Sequence, residues 1–203
     1  MNTLIPVENG NTLQAVRGFL RSLMEKGIVE ALFVPLEAGN GAIVPGLVTD
    51  PSRLSLANPL APVMPINSAR AVSALTGKAT PATIGALLRP CELRALVELV
   101  KLQQANLENV ILIGMDCPGT YESVDYKEGW HAGNGDLNEY LLSAKEGRNP
   151  AIRDLSLRAA CQMCTQPVPE KVSIHLHLFG SDTTQGIPVT LEESIAARLN
   201  LGE

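Results

Sequence analysis

The sequence predicts an α/β fold: a βαβ-containing mixed sheet flanked by helices, with a smaller C-terminal segment that carries cysteines. Three observations lead there. An amphipathic helix runs directly into an apolar strand near the start of the chain. Two apolar runs, ATIGALL and NVILIGMD, enclose a second amphipathic helix, the signature of a parallel βαβ unit. The chain has 203 residues, 45% of them hydrophobic, enough to bury one sizeable domain.

Taken in order, residues 12–27 place Leu13, Val16, Leu20, Leu23 and Met24 at helical spacing, with Gly27 as the stop. IVEALFVPL then reads as a buried strand. GAIVPGLVTD reads as an edge strand, because Pro45 removes a ladder donor. Residues 51–65 hold four prolines and predict a loop crossing. NSARAVSALTG is a short helix, with Asn67 or Ser68 as N-cap and Gly77 as stop.

In the helix that opens at Cys91, Leu93, Leu96, Val97 and Val100 define one face against the sheet. After Cys117 the chain turns rich in Gly, Tyr and charge, and PGTYESVDYKEGWHAGNGD reads as a loop. LNEYLLSAKEG is helical, and NPAIRDLSLRAACQMC leads through a short helix into a Cys-x-x-Cys. KVSIHLHLFG reads as a strand. TLEESIAARLN reads as a final helix, with Thr190 and Glu193 in capping-box positions. The expected division is an α/β domain over 1–150 with a cofactor crevice, then a Cys-x-x-Cys segment over 151–203.

Composition excludes several classes of function. A formal net charge of -5, with 16 scattered basic residues, argues against a nucleic-acid footprint. Aromatic residues make up only 3%, too few for a base-stacking platform. No run approaches the roughly 18 to 20 apolar residues of a membrane span. The first residues lack the basic and apolar regions of an export signal, so a cytoplasmic location is expected.

Four cysteines in such a chain point to metal or redox chemistry before disulfides. Cys91 and Cys117 each follow a strand of the same βαβ unit. Parallel neighbours bring their carboxyl ends together, where α/β sheets bind ligands. Cys161 and Cys164 add one Cys-x-x-Cys. The set is four thiolates, the complement of a cubane cluster or of a tetrahedral ion.

Only one Cys-x-x-Cys is present, where structural zinc commonly uses two. Pro90 precedes Cys91 and Pro118 follows Cys117, as in ferredoxin-type runs. Cys91 also opens a helix, whose dipole would favour a thiolate. These features favour iron–sulfur over zinc, which stays an alternative. A thioredoxin-like role for CQMC lacks the strand before it and the long helix after it. His175 and His177 share one strand face; a metal role is open to them, though two surface-facing histidines are the simpler reading.

At IGALLRPCELRALVELVKLQQ, NVILIGMDCPGTYE and RAACQMC the sequence resembles the beta-subunit family of coenzyme F-420 hydrogenase and dehydrogenase, over roughly residues 10–180. The Pro-Cys-Glu-x-Arg-Ala and Asp-Cys-x-Gly-Thr-Tyr blocks look most like the formate dehydrogenase branch. The resemblance implies a flavoprotein with FAD and one 4Fe-4S cluster, passing electrons between a hydride-carrying coenzyme and a partner redox subunit.

On that resemblance Cys91, Cys117, Cys161 and Cys164 hold the cluster. Lys78, Arg89 and Pro90 lie beside the flavin, and Thr120 and Tyr121 lie near cluster and flavin. Arg89 and Arg94 have a simpler reading as solvated helix-start charges. The implied partner is a hydrogenase, formate dehydrogenase or heterodisulfide-reductase-type subunit, served by a soluble electron-carrier coenzyme. Family members are commonly longer. The stop at Glu203 therefore predicts either an electron exit through a separate subunit or a truncated module. No Gly-x-Gly-x-x-Gly is present, so the flavin would not be held in the Rossmann manner. A cluster-only electron relay and a zinc-stabilised α/β binding module are the competing expectations.

Overall fold

The computed structural model describes residues 1–78, 81–132, 135–145 and 155–199. In chain order the elements are β1 (Asn2–Pro6), α1 (Thr12–Glu25), β2 (Ala31–Glu37), β3 (Ile43–Val48), α2 (Ala69–Thr76), β4 (Ile84–Leu88), α3 (Pro90–Lys101) and β5 (Val110–Met115). There follow α4 (Ser123–Asp125), which runs into a π-helical turn over Tyr126–His131, then α5 (Leu137–Lys145), α6 (Ala159–Gln162), β6 (Ile174–Leu176), β7 (Gly186–Leu191) and α7 (Glu193–Arg198).

Seven strands form one mixed sheet in the order β1-β7-β6-β5-β4-β2-β3. Its middle is parallel: β2, β4, β5 and β6 run the same way. Antiparallel pairs close both sides, β2 with β3 and β7 with both β6 and β1. Every residue of β4 is buried, as a parallel strand covered on both faces requires. Residues alternate between two cores. Leu87, Ile113 and Met115 pack with Val16, Leu20 and Leu23 of α1 and with Ile195 of α7. Ile84, Ala86 and Leu88 pack with Val72 of α2 and with Leu93 and Leu96 of α3.

The expected α/β class, the βαβ unit and the edge strand at Pro45 match this architecture. Pro35 and Pro45 stand opposite each other. The parallel ladder to β4 ends at Phe33, so Pro35 removes no donor from it. Gly27 ends α1 at φ +65, a conformation that costs a side-chain-bearing residue energy.

Four expectations need correction. β1 and β7 are strands that the periodicity did not signal, each short and each holding a proline. Pro188 lies one residue beyond the last β6 partner of β7, so that ladder is spared. Thr190 belongs to β7 and is no cap; Glu192 occupies the N-cap of α7 without a side-chain bond. Val97 is 46% exposed, because α3 turns only Leu93 and Leu96 fully into the core.

The fourth correction concerns the tyrosine-rich stretch. It is helical, and Tyr121, Tyr126 and Trp130 pack with Tyr140 as a buried aromatic cluster. Its glycines suggested a loop, but burial of the rings decides the structure. Residues 151–203 supply β6 and β7, threaded between β5 and β1 in the same sheet. The polar stretch 149–154 lies outside the described residues. Among the described residues no helix is long and apolar enough to cross a membrane.

Candidate functional site

The site is built where β4 and β5 end side by side. Arg89 leaves β4 in extended conformation and Pro90 opens α3, a first-turn position that needs no backbone N–H. The buried Glu92 fixes this start. One carboxylate oxygen accepts the Arg89 backbone N–H at 2.9 Å, and the other accepts that of Ser68 at 2.8 Å. Glu92 thus ties the beginnings of α3 and α2 together and points Cys91 away from the sheet.

Beyond β5, the Cys117 N–H bonds to Pro167 O at 2.9 Å, which draws in the segment after the Cys-x-x-Cys. Gly119 turns the chain at φ +125, and a Cβ there would meet Leu157 Cδ1 at 2.6 Å. Tyr140 Oη donates to Gly119 O at 2.7 Å and fastens the turn to the aromatic cluster. Arg158 N–H bonds to Thr120 O, and the short α6 then presents Cys161, with Cys164 following it.

All four cysteines line one cavity of ≈ 440 Å³. Arg89, Pro90 and Thr120 line it as well. Two polar groups reach sulfur: Arg89 Nη1 donates to Cys117 Sγ at 3.4 Å, and Thr120 Oγ1 shares a hydrogen bond with Cys161 Sγ at 3.3 Å. Arg89 is 5% exposed and also donates to Ala61 O. Burial opposes its charge, but Cys117, Tyr140 and Glu92 hold the guanidinium firmly protonated. Arg94 and Arg158 add positive charge to the lining, held by bonds to Gln166 O at 3.1 Å and Met64 O at 3.0 Å.

The surroundings of Cys91 favour its neutral thiol. Burial, and then the neighbouring Cys117 and Glu92, push its thiol up to about 11, so the helix dipole does not prevail. Thiols gathered in this way resist joint ionisation, and a bound cation relieves it.

Among the described residues, three metal-ligating atoms come within 4.8 Å of one another only at Asp116, His175 and His177. The four sulfurs are therefore spread more widely than the about 3.8 Å that separates thiolates around a tetrahedral zinc. Four thiols around one cavity, a cationic lining and polar groups against two of the sulfurs are the donor set that an anionic iron–sulfur centre would use.

Two residues that the resemblance assigns to the cofactor site, Lys78 and Tyr121, are not among those lining the cysteine cavity. Lys78 is exposed and does not line the cavity, and Tyr121 is fully buried among aromatic rings. Arg158 and Met64 were not singled out from the sequence. Arg158 heads the RAACQMC segment, where attention fell on the cysteines, and Met64 lies in the proline-rich crossing, which carries no motif.

The fold and site define an α/β chain with a parallel-centred sheet and a cysteine-lined, arginine-rich cavity at its strand ends. No family model matches the chain. The particular relatives are F420-dependent formate dehydrogenase beta subunits. That of Methanococcus maripaludis is 29% identical over 192 residues, covering 83% of this chain and 48% of the relative. That of Methanocaldococcus jannaschii is 27% identical over 112 residues, covering 46% and 30%.

A chain of the F420-reducing NiFe hydrogenase complex from Methanosarcina barkeri shares the fold, with TM-score 0.65 and 12% identity over 99% of this chain and 78% of that one. These relatives support the resemblance to the F-420 hydrogenase and dehydrogenase beta-subunit family. The chain spans about half the length, or less, of the curated relatives it matches.

Proposed function

We propose that this chain is the iron–sulfur flavoprotein part of an oxidoreductase. It would pass electrons between a hydride-carrying coenzyme of the F-420 type and a partner redox subunit, through FAD and a 4Fe-4S cluster. The observation that carries the reading is the gathering of Cys91, Cys117, Cys161 and Cys164 around one cavity, with Arg89 donating to Cys117 Sγ and the Thr120 hydroxyl in hydrogen-bond contact with Cys161 Sγ. When bound, the cluster supplies single-electron transfer and the flavin the conversion to two-electron hydride chemistry.

The chain's own residues then have definite tasks. Arg89 would offset negative charge on a metal-bound Cys117 thiolate. Thr120 would do the same, without charge, at Cys161. Met64 shields the Cys91 sulfur, its Sδ standing 3.9 Å away. The relatives' names favour F420 as coenzyme and a formate dehydrogenase or hydrogenase subunit as partner. A cluster-only relay is the second reading. It is favoured by the position of Lys78 outside the cavity and of Tyr121 in the core, which leaves few residues beside a flavin.

Anaerobic purification followed by iron, acid-labile sulfide, zinc and flavin analysis tests both readings. About four iron and four sulfide per chain, lost in Cys161→Ser, with bound flavin, is the expected result. Iron and sulfide without flavin would leave the relay. One zinc and no iron would overturn both.

A further inference from the structure

Away from the cysteine cavity, β6 presents His175 and His177 on the same side of the sheet, their ring centroids 3.8 Å apart. The strand register sets Gly114, His175, Thr190 and Asn2 in one row across β5, β6, β7 and β1. Hydrogen bonds along this row decide which ring nitrogens carry protons. Asp116, at the end of β5, is buried. Its Oδ2 accepts the N–H groups of Leu178 and Phe179 at 2.9 and 3.1 Å, and its Oδ1 stands 2.7 Å from His175 Nε2. An ionised carboxylate only accepts, so His175 holds a proton on Nε2.

Thr190 makes the same decision for His177. Its hydroxyl donates its single hydrogen to Asn2 Oδ1 at 3.0 Å, so it accepts from His177 Nε2, 2.8 Å away. Each neutral imidazole is left with a bare lone pair on Nδ1. Neither Nδ1 has a partner among the described residues.

We infer that His175 and His177 form a second metal site, selective for a first-row divalent ion such as zinc, cobalt or nickel, with Asp116 as its orienting carboxylate. One ligand-type atom from each of the three residues lies within 4.8 Å of the others. A histidine that gives its second N–H to a carboxylate is the usual outer arrangement of a metal-binding imidazole. Two imidazole nitrogens with water completing the sphere suit borderline ions and discriminate against magnesium and calcium. The site uses nitrogen rather than sulfur, and it does not rest on the redox reading of the cysteines.

The test is equilibrium dialysis of the anaerobically purified, iron-bearing protein against Co²⁺, read by cobalt content and by visible absorption. One cobalt per chain is expected, with d–d bands but no thiolate charge-transfer band. His175→Ala and His177→Ala should each weaken retention by about tenfold or more. Cys161→Ser should keep the nitrogen-ligated cobalt, even where freed thiols add a sulfur-ligated one. His177 is half-exposed, so its variant keeps the fold, and Thr190→Val supplies a milder version of the same loss. Cobalt bound only with a thiolate band, no cobalt at all, or retention unchanged in His177→Ala would overturn the inference. Loss of iron from the wild type would strike the cysteine reading alone.

Discussion

The two ends of the sheet handle polar groups differently. At the parallel centre, β4 and β5 deliver their carboxyl ends into one cavity, and the charges there are buried and interlocked: Arg89 on Cys117, Glu92 on two backbone N–H groups. At the antiparallel wing, β6, β7 and β1 carry a row of half-exposed polar side chains, His175, His177, Thr190 and Asn2, bonded laterally across strands. The difference teaches that parallel topology concentrates chemistry at strand ends, whereas a wing with one face left open can spread it over that face. A change at the centre should therefore cost stability and cofactor together. A change on the wing should cost little of either.

The sharpest test is Leu96→Ala, which removes a fully buried side chain between α3 and β4. It should cost about 3 kcal/mol in denaturant unfolding. Gly119→Ala comes next, at about 2 kcal/mol, because it combines a positive φ with a Cβ pressed on Leu157. Arg89→Gln should leave iron in place yet lower the cluster's reduction potential by on the order of 50 mV, read by potentiometric titration, since the charged donor to Cys117 Sγ is lost. An unchanged potential would make Arg89 purely structural.

On the wing, Thr190→Val should cost at most about 1 kcal/mol, because water replaces its bonds to His177 and Asn2. Val97→Ala, on the exposed side of α3, should change stability by less than about 0.5 kcal/mol. Should Val97→Ala cost as much as Leu96→Ala, a surface that looks open would have to be covered in the working protein.

Legibility from sequence follows the same division. The βαβ unit was readable because IGALL and VILIGM are continuous apolar strands around an amphipathic helix; Cys91 and Cys117 were readable because each follows such a strand, and Cys161 and Cys164 because of their Cys-x-x-Cys spacing. The wing was not. β1 and β7 are five and six residues long, each with a proline, and their pairing joins the two ends of the sequence, which no local window registers. Tyr121, Tyr126 and Trp130 were hidden by the glycines around them, and only tertiary burial makes them core. Arg158 and Met64 enter the cavity through long-range contacts, so nothing in their neighbourhoods marks them.

The pairing of β1 with β7 also bears on how the chain acquires its shape. Asn2 meets Thr190, and the Met1 amino group donates to Leu191 O at 2.7 Å. This ladder cannot begin until nearly the whole sequence is present, whereas β4, α3 and β5 are neighbours along the chain. Closing so long a loop adds only modest entropy, since the cost grows with the logarithm of length, but non-local pairing slows the search. The parallel centre should therefore assemble first and β1 dock last. In hydrogen exchange, the amides of β1 should lose protection before those of β4, as the last segment to close and the first to open.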